Sequence, residues 1–180
     1  GFPFYLAVGN IWRGSALAEQ GQAAEGIAQI RQGLAVARAT GAKAYETGYL
    51  SLLAEACEKV RQVEEGLTVL AEALDIVRQT GEHYVEARLH RVKGQLLLQL
   101  GTPSSASEAE ACFHKAIDVA RQQSAKSSEL QAAVSLARLW QQQGKKDEAR
   151  QMLTEIYSWF TEGFDTADLK EAKTLLAELA

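Results

Sequence analysis

The sequence predicts an all-α chain, a right-handed superhelical solenoid of about four stacked helix pairs closed by a C-terminal capping helix. Three observations carry that expectation. Small residues recur at a period of about 40: Ala54, Gly66 and Ala73 stand one period after Gly14, Gly26 and Gly33. Gly94, Ala109 and Ala116 continue the series, then Ala137, Ala149 and the larger Ile156. The composition is rich in Ala, Leu, Gln, Glu and Arg with only 2 prolines, which favours helix almost throughout. Finally, glycines sit just past the ends of apolar periodic runs, where a left-handed residue terminates a helix.

Taken in order, residues 2–20 form a first helix ended by Gly21. A second, about 22–39, carries Ile27, Ile30, Leu34 and Ala37 on one stripe and stops at Gly41. The next pair is expected from about Lys43 to Arg61 and from about Glu64 to Gln79, stopped by Gly81. The third repeat opens with a helix over 82–100. Its turn, 101–107, contains Gly101, Pro103 and three serines, and the marker spacing Gly94 to Ala109 is 15 residues instead of 12. This insertion reads as an exposed loop, with Ser105 and Glu108 capping the following helix.

The fourth repeat spans about 125–163, with Gly144 in its turn. A helix over 166–179 then presents Leu169, Ala172, Leu175, Leu176 and Leu179 on one face and charges on the other, as a terminal cap requires. Asp165 is placed to cap it, Asp168 lies in its acid-favouring first turn, and Phe164 can staple onto Leu169. The repeats thus run about 2–41, 42–81, 82–124 and 125–163 within a single domain, 1–180. The absence of an initiating Met suggests a piece of a longer chain.

Composition narrows the function. A net charge of −4 offers no basic stripe, so no nucleic-acid partner is expected. No apolar run reaches the roughly 18–20 residues that cross a bilayer, so no membrane partner is expected. Cys57 and Cys112 lack metal-finger or CxxC spacing and read as small, reduced core residues of a cytoplasmic protein. None of the 14 glycines belongs to a phosphate-binding or nucleophile-elbow string. Most mark close helix approach or helix ends, and only Gly1, Gly9 and Gly48 are left over.

Small residues at the eighth position of a first helix, then 12 and 19 residues further on, form the pattern of tetratricopeptide repeats, which this chain resembles over essentially its whole length. It departs in its longer period and in lacking the Pro that closes a repeat. Further strings are similar to the C-terminal repeat region of large bacterial signalling ATPases, many with a nucleotide-cyclase domain. They are 91–98, 116–121, 135–140 and 159–169, the last including Trp159, Phe160 and Phe164. The resemblance implies that ATPase and cyclase chemistry lies upstream, and it carries no catalytic residue into this chain.

His83, Glu86 and His90 share a helix face, but their spacing suits one small ion poorly, and ordinary surface histidines are the commoner case. Trp140, Trp159 and Phe160 read as core and cap packing. No catalytic, cofactor or metal residues are expected. In stacked helix pairs of this kind the first helices line the concave side. That places Ser51, Glu55, Glu58, Arg88, Arg91, Gln95, Arg138, Gln141 and Gln142 in a groove able to hold a protein or peptide. The plainer alternative is a solvated face of internal Glu–Arg pairs. The first expectation is therefore a non-catalytic interaction scaffold or sensor regulating upstream domains. The alternative is a self-association module, a homodimer formed through the apolar N-terminal residues Phe2, Phe4, Tyr5 and Trp12.

Overall fold

The computed structural model describes residues 2–41 and 45–180. They form nine helices and no strand: α1 (Phe2–Glu19), α2 (Ala23–Ala39), α3 (Glu46–Lys59), α4 (Val63–Thr80), α5 (Glu86–Gln99), α6 (Pro103–Gln122), α7 (Lys126–Gln142), α8 (Lys146–Tyr157) and α9 (Ala167–Glu178). The all-α repeat expected from the sequence is therefore what the chain adopts. The expected start of the third helix at Lys43 lies outside the described residues.

The turns are built alike. Two left-handed positions recur, one inside each helix pair and one after it, and Gly21, Gly41, Gly81, Gly101, Gly144 and Gly163 fill six of them. Arg61 and Ser124 fill two others, at φ 59° and 55°. Beyond Gly21, Arg61, Ser124 and Gly144 the next N–H reaches back to close the turn. Gln22 donates to Leu17, Gln62 to Cys57, Ala125 to Ala120 and Lys145 to Trp140, at 2.8–2.9 Å. These are Schellman bonds, and they satisfy carbonyls that the helix end would leave bare.

Two expectations about helix starts are corrected. The insertion at 101–107 does not form a loop: it extends α6, whose first residue is Pro103. Thr102 is the cap, its hydroxyl accepting from Ser105 N–H while Ser105 Oγ accepts from Thr102 N–H, both at 3.1 Å. Proline suits the first helical position because its missing N–H would have no partner there. At α9 the cap position is Thr166, not Asp165, and its side chain makes no capping bond. The Phe164 ring lies beside the Tyr157 ring, 5.9 Å away.

The chain divides into two units, Gly1–Val85 and Glu86–Ala180. In the first, α1 lies on α2 and α3 on α4, with α3 also against α1 and α2. The first pair is joined through its glycines: a Cβ on Gly26 would fall 2.4 Å from the Gly14 carbonyl oxygen. Ile11, Ile30, Leu50 and Leu70 form the core of this unit. Ion pairs run across its outside, with Arg31 on Glu65, Arg38 on Glu46 and Glu72, and Lys59 on Glu19. The leftover Gly48 also acquires a role, because Tyr84 Oη accepts its N–H at 3.2 Å and fills the space of a side chain.

In the second unit α5 packs on α6, α6 and α8 on α7, and α7 and α8 on α9. Leu89, Leu96, Phe113, Leu130, Leu136, Leu153 and Leu175 are fully buried there. Glu129, the one buried carboxylate among the described residues, accepts from Arg121 Nε at 2.7 Å and Lys126 Nζ at 2.8 Å. Trp159 is not core, contrary to expectation. It is 60% exposed, edge-on to Phe160, with Lys126 above its ring.

Candidate functional site

First helices carry the site in the second unit. Along α7, Gln131, Ser135, Arg138 and Gln142 follow at spacings of four, three and four, which keeps them on one face. Arg91 and Gln95 lie one turn apart on α5, and Asp168 and Glu171 one turn apart on α9. Together they rim a cavity of about 330 Å³ whose apolar floor is Leu98, Phe113, Val134 and Leu139. A second cavity of about 350 Å³ shares Leu98, Leu139 and Gln142 and continues toward the Thr102–Pro103 turn. The two make a track rather than a closed pocket.

Phe113 reaches this floor from α6 because α5 has no side chain at Gly94. A Cβ there would stand 2.5 Å from the ring. The rim is held by side-chain hydrogen bonds, one within α5 and two between α7 and α9. Arg91 Nη1 donates to Gln95 Oε1 at 3.0 Å, Gln131 Nε2 to Asp168 Oδ2 at 2.7 Å, and Arg138 to Glu171 Oε1 at 3.1 Å. Two guanidinium groups and two carboxylates make the rim neutral in sum but polar along its length. Such groups hydrogen-bond in both directions, and the three carboxamides match the donors and acceptors of an extended backbone.

Of the residues expected to line a groove, Arg91, Gln95, Arg138 and Gln142 do meet here. Gln141 turns to Glu178, 3.5 Å away, and Arg88 is half-buried on α5 without lining either cavity. Glu55 and Glu58 are half-buried on α3, in the other unit. Ser51 is a correction: it is fully buried, and its hydroxyl donates to the Gly48 carbonyl at 2.7 Å. One period earlier its place is held by Ile11, which packs on Gly33 of the paired helix. That register faces the core.

Asp168, Glu171, Gln131, Ser135 and Phe113 were not anticipated. Stepping back from Arg138 by helical spacing would have found Gln131 and Ser135. Asp168 and Glu171 were hidden because the last helix reads only as a lid. Elsewhere, Phe2, Tyr5 and Trp12 are exposed on α1, whereas Phe4 is half-buried against the Tyr5 ring at 5.8 Å.

Burial pushes both free thiols, Cys57 and Cys112, above their ordinary range. Burial also pulls His90 below its ordinary value against the opposing pull of Glu86, 3.7 Å away. Among the described residues, no group of three His, Cys, Asp or Glu side chains is arranged to hold a metal ion. None of their helices is long and apolar enough to cross a membrane.

The fold is that of TPR-like helical-repeat proteins. A kinesin-light-chain-type protein of Podosopora anserina with nearly identical TPR-like repeats superposes with TM-score 0.73 at 18% identity, over 99% of this chain and 86% of that one. A Rap protein complexed with Competence and Sporulation Factor gives 0.75 at 21% identity, over 98% of this chain and 46% of that one. BtubC from P. vanneervenii gives 0.69 at 16%, over 98% and 81%. No family model and no curated protein matches the sequence.

Proposed function

We propose that the chain is a non-catalytic protein–protein interaction module that holds an extended peptide segment in the α5–α7–α9 track. One observation carries the reading: rim side chains of both charges and three carboxamides surround an apolar floor that continues into a second cavity. The likeness to a Rap protein solved with a bound factor supports it. On the resemblance to signalling ATPases, occupancy of the track would be relayed to nucleotide-hydrolysing or cyclase domains upstream.

The test is selection from a randomised peptide library followed by fluorescence anisotropy on the enriched sequences. Peptides enriched on the unaltered chain should lose at least about tenfold in affinity with Arg91→Ala or Arg138→Ala, as for a charged hydrogen bond. Arg150→Ala, on α8 outside the track, should change nothing. Enriched peptides indifferent to both track variants would overturn the reading.

A further inference from the structure

Gly9 has no reason of its own within the described chain. It lies mid-helix in α1, is exposed, and a Cβ on it would meet nothing within 4 Å. Gly14, Gly26, Gly33, Gly48 and Gly94 each have a neighbour in that space. Glycine at an exposed helical position weakens the helix relative to alanine, so its presence asks for something outside that comes close.

The repeat says what kind of surface this is. Toward α2, α1 turns Ala7, Ile11 and Gly14, which meet Gly33, Gly26 and Ile30. Forty residues on, the same register holds Thr47, Ser51 and Ala54. The other buried positions of α3 include Tyr49, Leu52, Leu53 and Ala56, and α3 packs on α1 and α2 as well as α4. Their counterparts on α1 are Gly9, Trp12, Arg13 and Ala16, all exposed. So α1 leaves open the face that α3 buries against other helices. Phe2, Tyr5 and Leu6 extend it, at 76%, 73% and 55% exposure.

We propose that this face is covered by α1 of a second copy of the chain, the two helices antiparallel and crossing at Gly9. The stripe is its own complement. Its positions fall symmetrically about Gly9, so a two-fold axis there sets Phe2 against Ala16, Leu6 against Trp12 and Tyr5 against Arg13. Large meets small, apolar meets apolar, and a guanidinium meets an aromatic face, with each contact made twice.

The outward face of α9 suits the stripe poorly, because its exposed residues include Lys170, Lys173, Thr174 and Glu178, with only Ala167 and Ala177 apolar. A head-to-tail contact would therefore bury charge against hydrocarbon. The four large apolar side chains offer roughly 500 Å² per copy, toward the small end of specific interfaces, which fits reversible association rather than a permanent dimer.

Sedimentation velocity on the 180-residue chain tests this. The expected result is a monomer–dimer equilibrium with a Kd on the order of 10 µM. Leu6→Glu combined with Trp12→Glu should weaken it at least about a hundredfold. Gly9→Gln should raise the thermal midpoint, since glutamine is the better helix former, yet weaken association at least about tenfold. Gly9→Cys should form a cross-link between copies on oxidation that the unaltered chain does not form. Arg91→Ala and Arg138→Ala should leave the equilibrium alone, which separates this proposal from the peptide track.

A monomer up to about 500 µM would overturn the proposal and give the face to a helix of another origin. So would a dimer unmoved by the Leu6 and Trp12 changes. A dimer whose Gly9→Cys variant fails to cross-link would overturn the placement of the axis.

Discussion

The edge of the Phe113 ring fills the space that a methyl group on Gly94 would need, 2.5 Å from where that carbon would lie. Phe113 is fully buried, so the ring cannot swing into solvent to make room. Gly94→Ala should therefore cost about 1–2 kcal/mol by urea unfolding, overpacking outweighing the better helix propensity of alanine. In a Phe113→Leu background the same change should cost about 1 kcal/mol less, because the obstructing ring is gone. Equal costs in both backgrounds would show that the ring is not the obstruction.

Gly26 poses a harder version of the same problem. A Cβ there would stand 2.4 Å from the Gly14 carbonyl oxygen and 3.0 Å from the Ala18 nitrogen, both backbone atoms. Side chains can change rotamer, whereas two helix axes must separate as a whole. Gly26→Ala should thus cost about 2–3 kcal/mol, more than Gly94→Ala, and should raise hydrogen exchange first in α1 and α2.

Arg61 and Ser124 occupy left-handed positions that glycine fills in the matching turns. A side chain there crowds the following carbonyl, at about 1–2 kcal/mol per residue. Arg61→Gly and Ser124→Gly should each stabilise the chain by about 1 kcal/mol, while Gly81→Ala at φ 74° should destabilise it by a similar amount. Thermal unfolding of the three variants decides it. A loss on introducing glycine would mean that the Arg61 or Ser124 side chain contributes more than its conformation costs.

Glu129 makes stability depend on pH. Burial alone would push its carboxyl up, but hydrogen bonds from Lys126 and Arg121 outweigh that and hold it below its ordinary value. The unfolded chain, with a Glu pKa of about 4.3, then binds the proton more readily. The contribution is complete above about pH 4.3 and is lost as pH falls through the lower folded value. Glu129→Gln should cost about 2 kcal/mol at pH 7 and flatten the stability profile in that acid window. An unchanged acid limb would rule this carboxylate out as its source.

The Arg138–Glu171 pair at the track rim should contribute little to folding. Both side chains are nearly half exposed, and such pairs are worth about 0–1 kcal/mol. Glu171→Gln should leave the urea midpoint almost unmoved yet change the affinity of selected peptides, because Arg138 would lose its anchor. A large stability loss would recast the pair as structural.

Much of this architecture was legible in the residues. The 40-residue recurrence of Gly and Ala gave the helix pairs their register, since a backbone approach tolerates nothing larger, and the terminating glycines set most helix ends to within a few residues. Thr102 and Pro103 were misjudged as a loop because a proline that ends one helix can equally start the next. Ser51 was placed in the groove because it lies on a first helix, while its register on that helix carries it inward.

What the sequence by itself determined is local and periodic: which stretches are helical, where they stop, and which face of each is buried. Only the tertiary structure decided which polar side chains from α5, α7 and α9 share one rim, and that Phe113 forms its floor. It also left the α1 stripe around Gly9 uncovered. The reason is physical. Helix and termination are settled by neighbours within a few residues, whereas a cavity depends on the spacing of helices that are not neighbours in the chain and meet only when side chains of the right size let them.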